Sequence, residues 1–187
     1  MTNKAVIIGG SAGSFQVVIR ILSQIPKSFP YPLFLCLHRL KHVREGFVEA
    51  LSIKSNITIL EPNDKDRIKP GIAYLAPSNY HLLIEPEFHF ALSSGEPINH
   101  SRPSIDLSFA SAAYAYRNNL TGIILSGANK DGALGLKAVA DFEGTTIVQD
   151  PNDCQIRTMT ESAIKTARVD HVLSTDQIIA FLAKMTG

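Results

Sequence analysis

The apolar residues of this chain change their spacing repeatedly, and that alternation restricts the fold more than any other feature. Ala5-Val6-Ile7-Ile8 is a short β-rich run that meets Gly9-Gly10. Phe15, Val18, Leu22 and Ile25 then recur at helical spacing, and Pro26 ends that helix. Leu33-Phe34-Leu35-Cys36-Leu37 is continuous rather than alternating, as a strand covered on both faces of a parallel sheet requires. A charged segment from Arg44 to about Ile53 has helical character, and Ile57 to Leu60 reads as a third strand. Between Gly71 and Leu92 the pieces Ile72–Leu75, His81–Ile84 and Phe88–Leu92 lie close together, broken by Pro77-Ser78-Asn79 and Pro86-Glu87. Such spacing predicts antiparallel hairpins. The α/β alternation then resumes. Ile105, Phe109, Ala112 and Tyr116 form a helical stripe, Thr121 to Leu125 a strand, and Leu134, Ala138 and Phe142 a helix starting near Gly132. Thr145 to Val148 and Val172-Leu173 are further strands, and Ser174-Thr175-Asp176-Gln177 opens the last helix with a capping box. The expectation is an α/β fold, doubly wound, whose mostly parallel sheet is flanked by helices and carries an antiparallel hairpin insert near residues 71–92.

Composition narrows the class. At 187 residues the chain is expected to form a single domain over residues 1–187. A hydrophobic fraction of 45% with 19% charged residues excludes global disorder. Lys plus Arg number 18 against 17 Asp plus Glu, so no basic excess is available to neutralise a phosphate backbone, and nucleic acid is not an expected partner. The longest apolar runs fall far short of the roughly 20 residues of a membrane span, and no signal-peptide core develops before the first glycines. The expected location is therefore cytoplasmic, without membrane insertion. Two cysteines are too few for a disulfide framework or a zinc site.

In open parallel sheets ligands bind beyond the carboxyl ends of the strands, which directs attention to three strand ends. The first carries Gly9-Gly10-Ser11-Ala12-Gly13-Ser14. It fails the dinucleotide fingerprint because Ser11 and Ser14 stand where glycines are needed, and it lacks the Lys of a phosphate-binding loop. It does match Gly-x-Ser-x-Gly, the sequence form of a nucleophile elbow. The rival reading makes Ser11 an ordinary helix-capping serine in a tight turn. At the second strand end stands His38, the only histidine directly following a buried parallel-type run. His81, His89 and His171 are satisfied by solvated or structural readings, His100 could line a cleft, and His38 with His42 makes a poor metal pair. At the third, Asp131 lies between Lys130 and Gly132, where it either orients a base or complements the dipole of the helix it precedes. Ser11, His38 and Asp131 at three strand ends together point to nucleophilic chemistry more firmly than any one alone.

Taken with Ile68-Lys69-Pro70-Gly71-Ile72-Ala73-Tyr74-Leu75-Ala76-Pro77, Ser101-Arg102-Pro103-Ser104-Ile105-Asp106 and Gly127 to Gly132, these segments resemble, in order and over nearly the whole chain, the catalytic domain of the chemotaxis protein-glutamate methylesterases, the CheB family. The resemblance implies that Ser11 is the nucleophile, His38 its base and Asp131 the acid that orients the base. It implies hydrolysis of glutamate γ-methyl esters with release of methanol, deamidation of receptor glutamines by the same route, and no metal or organic cofactor. The partners it implies are the methylated cytoplasmic helices of chemoreceptors. Backbone N–H groups of Ala12 and Ala128 are the expected oxyanion donors, and Arg102 is expected on the substrate side of the cleft, with a structural salt bridge as its alternative. The family's pattern has Thr where Ala12 stands, Gly for Ser14, Met for Ala128 and Met-Pro for Met159-Thr160. Its receiver domain is expected to be missing, since the chain opens on the first catalytic strand. An esterase or amidase for a non-receptor substrate, or a non-catalytic module retaining the fold, stay open at this point.

Overall fold

The computed structural model describes residues 4–39 and 46–186. Its elements are β1 (Ala5–Gly10), α1 (Phe15–Gln24), β2 (Leu33–Leu37), α2 (Phe47–Ser52), β3 (Thr58–Leu60), β4 (Ile72–Leu75), β5 (His81–Ile84), β6 (Phe90–Ser93), α3 (Ile105–Tyr116), β7 (Leu120–Ile124), α4 (Ala133–Asp141), β8 (Thr145–Gln149), α5 (Thr158–Thr166), β9 (His171–Leu173) and α6 (Thr175–Lys184). Seven strands pair in parallel in the order β3-β4-β2-β1-β7-β8-β9. From β1 the chain builds outward to one edge, then returns to build the other half from β7 to β9. Strand β1 is thus the point where the order reverses, the place at which an open sheet leaves a crevice.

Every residue of β1 and β2 is buried, as their unbroken apolar runs require. The pleat sends alternate residues to opposite cores. Ala5, Ile7, Phe34 and Cys36 pack with Ile105, Phe109, Leu136 and Met159 on one face. Val6, Ile8, Leu33 and Leu35 pack with Val18, Ile21, Leu22, Ile178 and Leu182 on the other. Helices α3, α4 and α5 therefore cover one side of the sheet, and α1 and α6 the other. The capping box of α6 forms as read, with Ser174 and Gln177 bonded reciprocally.

Three local expectations need correction. The antiparallel insert is narrower than residues 71–92: among the strands of the described residues only β5 and β6 pair antiparallel, in register from His81 with Ser93 to Ile84 with Phe90. Ile72–Leu75 instead joins the parallel sheet between β3 and β2. Its three consecutive buried residues, Ala73 to Leu75, carry the two-sided burial of a central strand, which the short connection to β5 disguises. Helix α4 buries Ala133, Leu136, Val139 and Ala140 rather than a stripe through Leu134, which is 63% exposed. Helix α5 has no counterpart in the sequence reading; only Met159, Thr160 and Ala163 of it are buried, too short a stripe to stand out. Of the charged segment read from Arg44 onward, Arg44 and Glu45 lie outside the described residues, as does His42.

Candidate active site

Strand β1 delivers Ser11 into a four-residue turn closed by Ser14 N–H donating to the Ser11 carbonyl at 3.0 Å. Gly13 holds φ +84°, in the left-handed region that favours glycine, and a Cβ there would stand 2.7 Å from Gln155 Cβ and 2.8 Å from Ser126 Oγ. The turn is tied down from the neighbouring strand. Ser11 N–H donates to the Ser126 carbonyl at 3.0 Å, and Ser126 Oγ lies 2.9 Å from the Ala12 carbonyl. The N-cap position of α1 falls on Ser14, so Ser11 is not a capping serine. Ser11 is half-buried and Ala12 exposed.

His38 follows β2 immediately beside this turn, its N–H donating to the Gly10 carbonyl at 3.0 Å. Its Nε2 lies 2.8 Å from Asp131 Oδ2; the imidazole is 12% exposed and the carboxylate fully buried. An ionised carboxylate only accepts, so Nε2 carries a proton, and in the neutral imidazole Nδ1 is then the nitrogen with the lone pair. Asn129 Nδ2 approaches Nδ1 only to 3.5 Å, too long for a strong hydrogen bond. The structure thus joins His38 to Asp131 directly and brings Ser11 alongside by backbone pairing; the Ser11 hydroxyl makes no hydrogen bond to His38 among the described residues.

Asp131 is held from a second direction. Its carboxylate accepts Ile105 N–H at 2.7 Å, Asp106 N–H at 3.0 Å and Ser104 Oγ–H at 3.3 Å, all at the N-terminus of α3. Burial works to raise its pKa, but the bonds from His38 and these two backbone N–H groups outweigh it and hold the carboxyl below its ordinary value. Asp131 does meet a helix dipole, though that of α3 rather than of α4, which it precedes. Asp106 returns the contact: its Oδ1 accepts Gly132 N–H at 2.9 Å and Gly135 N–H at 2.7 Å, at the start of α4. Burial, with the charge of Asp131 close by, raises the Asp106 pKa. Asp106 was legible only as one letter of the Arg102-Pro103-Ser104-Ile105-Asp106 segment, because its partners are backbone groups of a distant helix.

The remaining candidates fall around this centre. The N–H groups of Ala12 and Ala128 donate to no acceptor among the described residues, and both residues are exposed. Arg102 gives its guanidinium to Asn79 Oδ1 at 2.7 Å and to the Ser94 and Gly95 carbonyls at 2.7 and 2.8 Å, so it ties these two segments together through neutral acceptors and forms no salt bridge among the described residues. His81 is buried; its Nδ1 accepts Ser104 N–H at 3.1 Å and its Nε2 donates to the Glu96 carbonyl at 2.9 Å, a structural prop under the start of α3. His100 is exposed in the loop before Arg102. Burial pushes the Cys36 thiol up to about 12, which removes it as a nucleophile near neutral pH. Among the described residues no cluster of three or more His, Cys, Asp or Glu is placed to hold a metal ion.

Comparison with known proteins places the chain. Residues 6–182 match the family model described as CheB methylesterase. A Leptospira interrogans protein provisionally named a protein-glutamate methylesterase/protein-glutamine glutaminase is 40% identical over 185 residues, covering 99% of this chain and 96% of that protein. A Thermotoga maritima protein-glutamate methylesterase/protein-glutamine glutaminase is 32% identical over 180 residues, 92% of this chain and 51% of that protein. The crystal structure of the Thermotoga maritima CheB methylesterase catalytic domain superposes with a TM-score of 0.93 at 30% identity, covering 99% of this chain and all of that one. The chain belongs to the CheB methylesterase family.

Proposed function

We propose, from that membership and the geometry around His38, that this chain is a serine hydrolase that cleaves glutamate γ-methyl esters on the cytoplasmic helices of chemoreceptors. Ser11 Oγ attacks the ester carbonyl while His38 Nδ1 takes its proton. Asp131, bonded to Nε2–H, keeps that tautomer and steadies the imidazolium that forms. The free N–H groups of Ala12 and Ala128 receive the oxyanion, where preorganised donors act most strongly. As the tetrahedral adduct collapses, His38 returns the proton to departing methanol. Water, deprotonated by the same nitrogen, then hydrolyses the acyl-enzyme and restores the glutamate carboxylate and the Ser11 hydroxyl. A glutamine amide would follow the same path with ammonia leaving, in keeping with the glutaminase in the relatives' names. Such a substrate places the reaction in the cytoplasm.

The observation that carries this reading is the 2.8 Å contact of His38 Nε2 with a fully buried Asp131, beside a serine elbow at the switch point of the sheet. Arg102 is assigned to the substrate side of the cleft, its guanidinium held by Asn79 Oδ1 and the Ser94 and Gly95 carbonyls. Methanol release from methylated chemoreceptor tests the whole. Ser11→Ala and His38→Ala should each lower the rate by orders of magnitude, and the double variant should lose little more, since members of such a unit act together. Additive losses from folded single variants would contradict a shared mechanism. Turnover of small γ-glutamyl esters without turnover of receptor would move the substrate elsewhere.

A further inference from the structure

The Ser11 carbonyl accepts twice from one residue: Ser14 N–H at 3.0 Å and Ser14 Oγ–H at 2.7 Å. Ser14 is 2% exposed and its hydroxyl makes no capping bond to the first turn of α1. A serine at a helix start ordinarily accepts from the N–H groups of that turn. Here the hydroxyl donates backward instead, and room is made for it: a Cβ on Gly10 would stand 2.6 Å from both Ser14 Cβ and Ser14 Oγ.

The Ser11 carbonyl and the Ala12 N–H belong to one planar trans peptide, so they point in opposite directions. Two donors gripping the oxygen fix the plane, and with it the direction of the N–H. The next peptide is fixed separately, by Ser126 Oγ at 2.9 Å from the Ala12 carbonyl. The Ala12 N–H has no acceptor of its own among the described residues, so only the far side of its peptide holds it in place.

We infer that Ser14 is a positioning residue whose buried hydroxyl, bonded to the Ser11 carbonyl, locks the peptide that aims the Ala12 N–H at the reacting oxygen. The inference rests on the function proposed above. It also gives position 14 a chemical task in this chain, where the glycine of the family's pattern would leave one donor to the carbonyl instead of two.

The test compares the wild-type chain with Ser14→Ala and Ser14→Gly. Both variants retain the Ser14 N–H bond, so the turn persists with a looser peptide. The kcat for a γ-glutamyl methyl ester should fall about tenfold, less than the 10²–10³-fold cost of losing a donor outright. KM should stay within about twofold, and a trifluoromethyl ketone analogue of the ester, which forms a tetrahedral adduct, should weaken by the same factor as kcat/KM. A merely structural role would instead lower the melting midpoint and leave the analogue's relative affinity unchanged. Independently of activity, the Ala12 amide resonance should be single in wild type and broadened or doubled in Ser14→Ala. If wild type hydrolyses the ester and both folded variants keep kcat and analogue affinity, the inference is overturned. If wild type is inert but the Ala12 resonance responds as described, the proposed function fails and the peptide lock stands.

Discussion

Asp131 accepts from four donors at once: His38 Nε2–H, the N–H groups of Ile105 and Asp106, and Ser104 Oγ–H. That crowding makes Asp131→Asn informative. An amide must place its NH2 either toward Ile105 N–H and His38 or toward Asp106 N–H and Ser104, so one donor always faces another. Stability should fall by about 1–3 kcal/mol, the usual cost of leaving a buried polar group unsatisfied. Turnover should fall much further, by at least about 10²-fold, because the amide neither enforces the working tautomer nor balances the imidazolium. Urea unfolding and methanol release on the same preparation separate the two effects. Near-normal turnover in a folded variant would leave Asp131 as a capping group of α3 alone. At this scale Ser11, His38 and Asp131 draw attention in the sequence because each lies in a segment that follows a buried β run: Ser11 and His38 directly after β1 and β2, Asp131 in the loop between β7 and α4. Asp106, Ser126 and Ser14 do not, because what they do depends on which backbone groups of distant segments, or of their own turn, come to face them.

Helices α3 and α4 begin side by side, and each N-terminus is served by a carboxylate from the other's sequence neighbourhood: Asp131 at α3, Asp106 at α4. The close approach this needs is made at Gly135. A Cβ there would stand 2.6 Å from Phe109 Cβ, 3.0 Å from Asp106 Cα and 3.1 Å from the Asp106 carbonyl. Helix propensity alone would have Ala stabilise α4 by about 1 kcal/mol over Gly. Packing should reverse that sign: we expect Gly135→Ala to destabilise by about 1–3 kcal/mol, as overpacking of a filled core does. It should also lower turnover, since pushing α3 off α4 disturbs both clasps. A melting point at or above wild type would show that the helices slide apart without cost. Element by element, the sequence announced what its burial made plain. Leu33–Leu37 needed no correction, and the Ser174 capping box marked α6 to the residue. Strand β4 and helix α5 escaped for opposite reasons. The first was crowded by neighbouring strands into looking like part of a hairpin, and the second buries too little to show a period.

Across the whole molecule, the reversal of strand order at β1 sets Ser11 between the two halves of the sheet, with His38 from one side and Asp131 from the other. Continuous apolar runs signalled that architecture, because only a sheet covered on both faces tolerates them. The same closing of the two halves encloses two aspartates of opposite character, Asp131 buried and Asp106 half-buried, and the stability of the fold should record both. Asp131 is held below its ordinary value. Between its folded pKa and about 3.9, the value of an unfolded aspartate, the unfolded chain binds more protons, so stability rises with pH there. Its contribution is complete above about 3.9 and is lost as pH falls through the folded value. Asp106 is held above its ordinary value, chiefly by burial. Between about 3.9 and that raised value the folded chain binds more protons, so its contribution is full below about 3.9 and is lost as pH rises. Urea unfolding of wild type, Asp131→Asn and Asp106→Asn across roughly pH 2–7 should therefore give pH dependences of opposite sign. The stability gap between wild type and Asp131→Asn should shrink as pH falls from about 5 towards 2. The gap between wild type and Asp106→Asn should shift in favour of wild type as pH falls from about 7 to 4. Two gaps that move in the same direction would mean that the carboxylates titrate as one exposed pair, and that the reciprocal clasp at the two helix starts does not hold in solution.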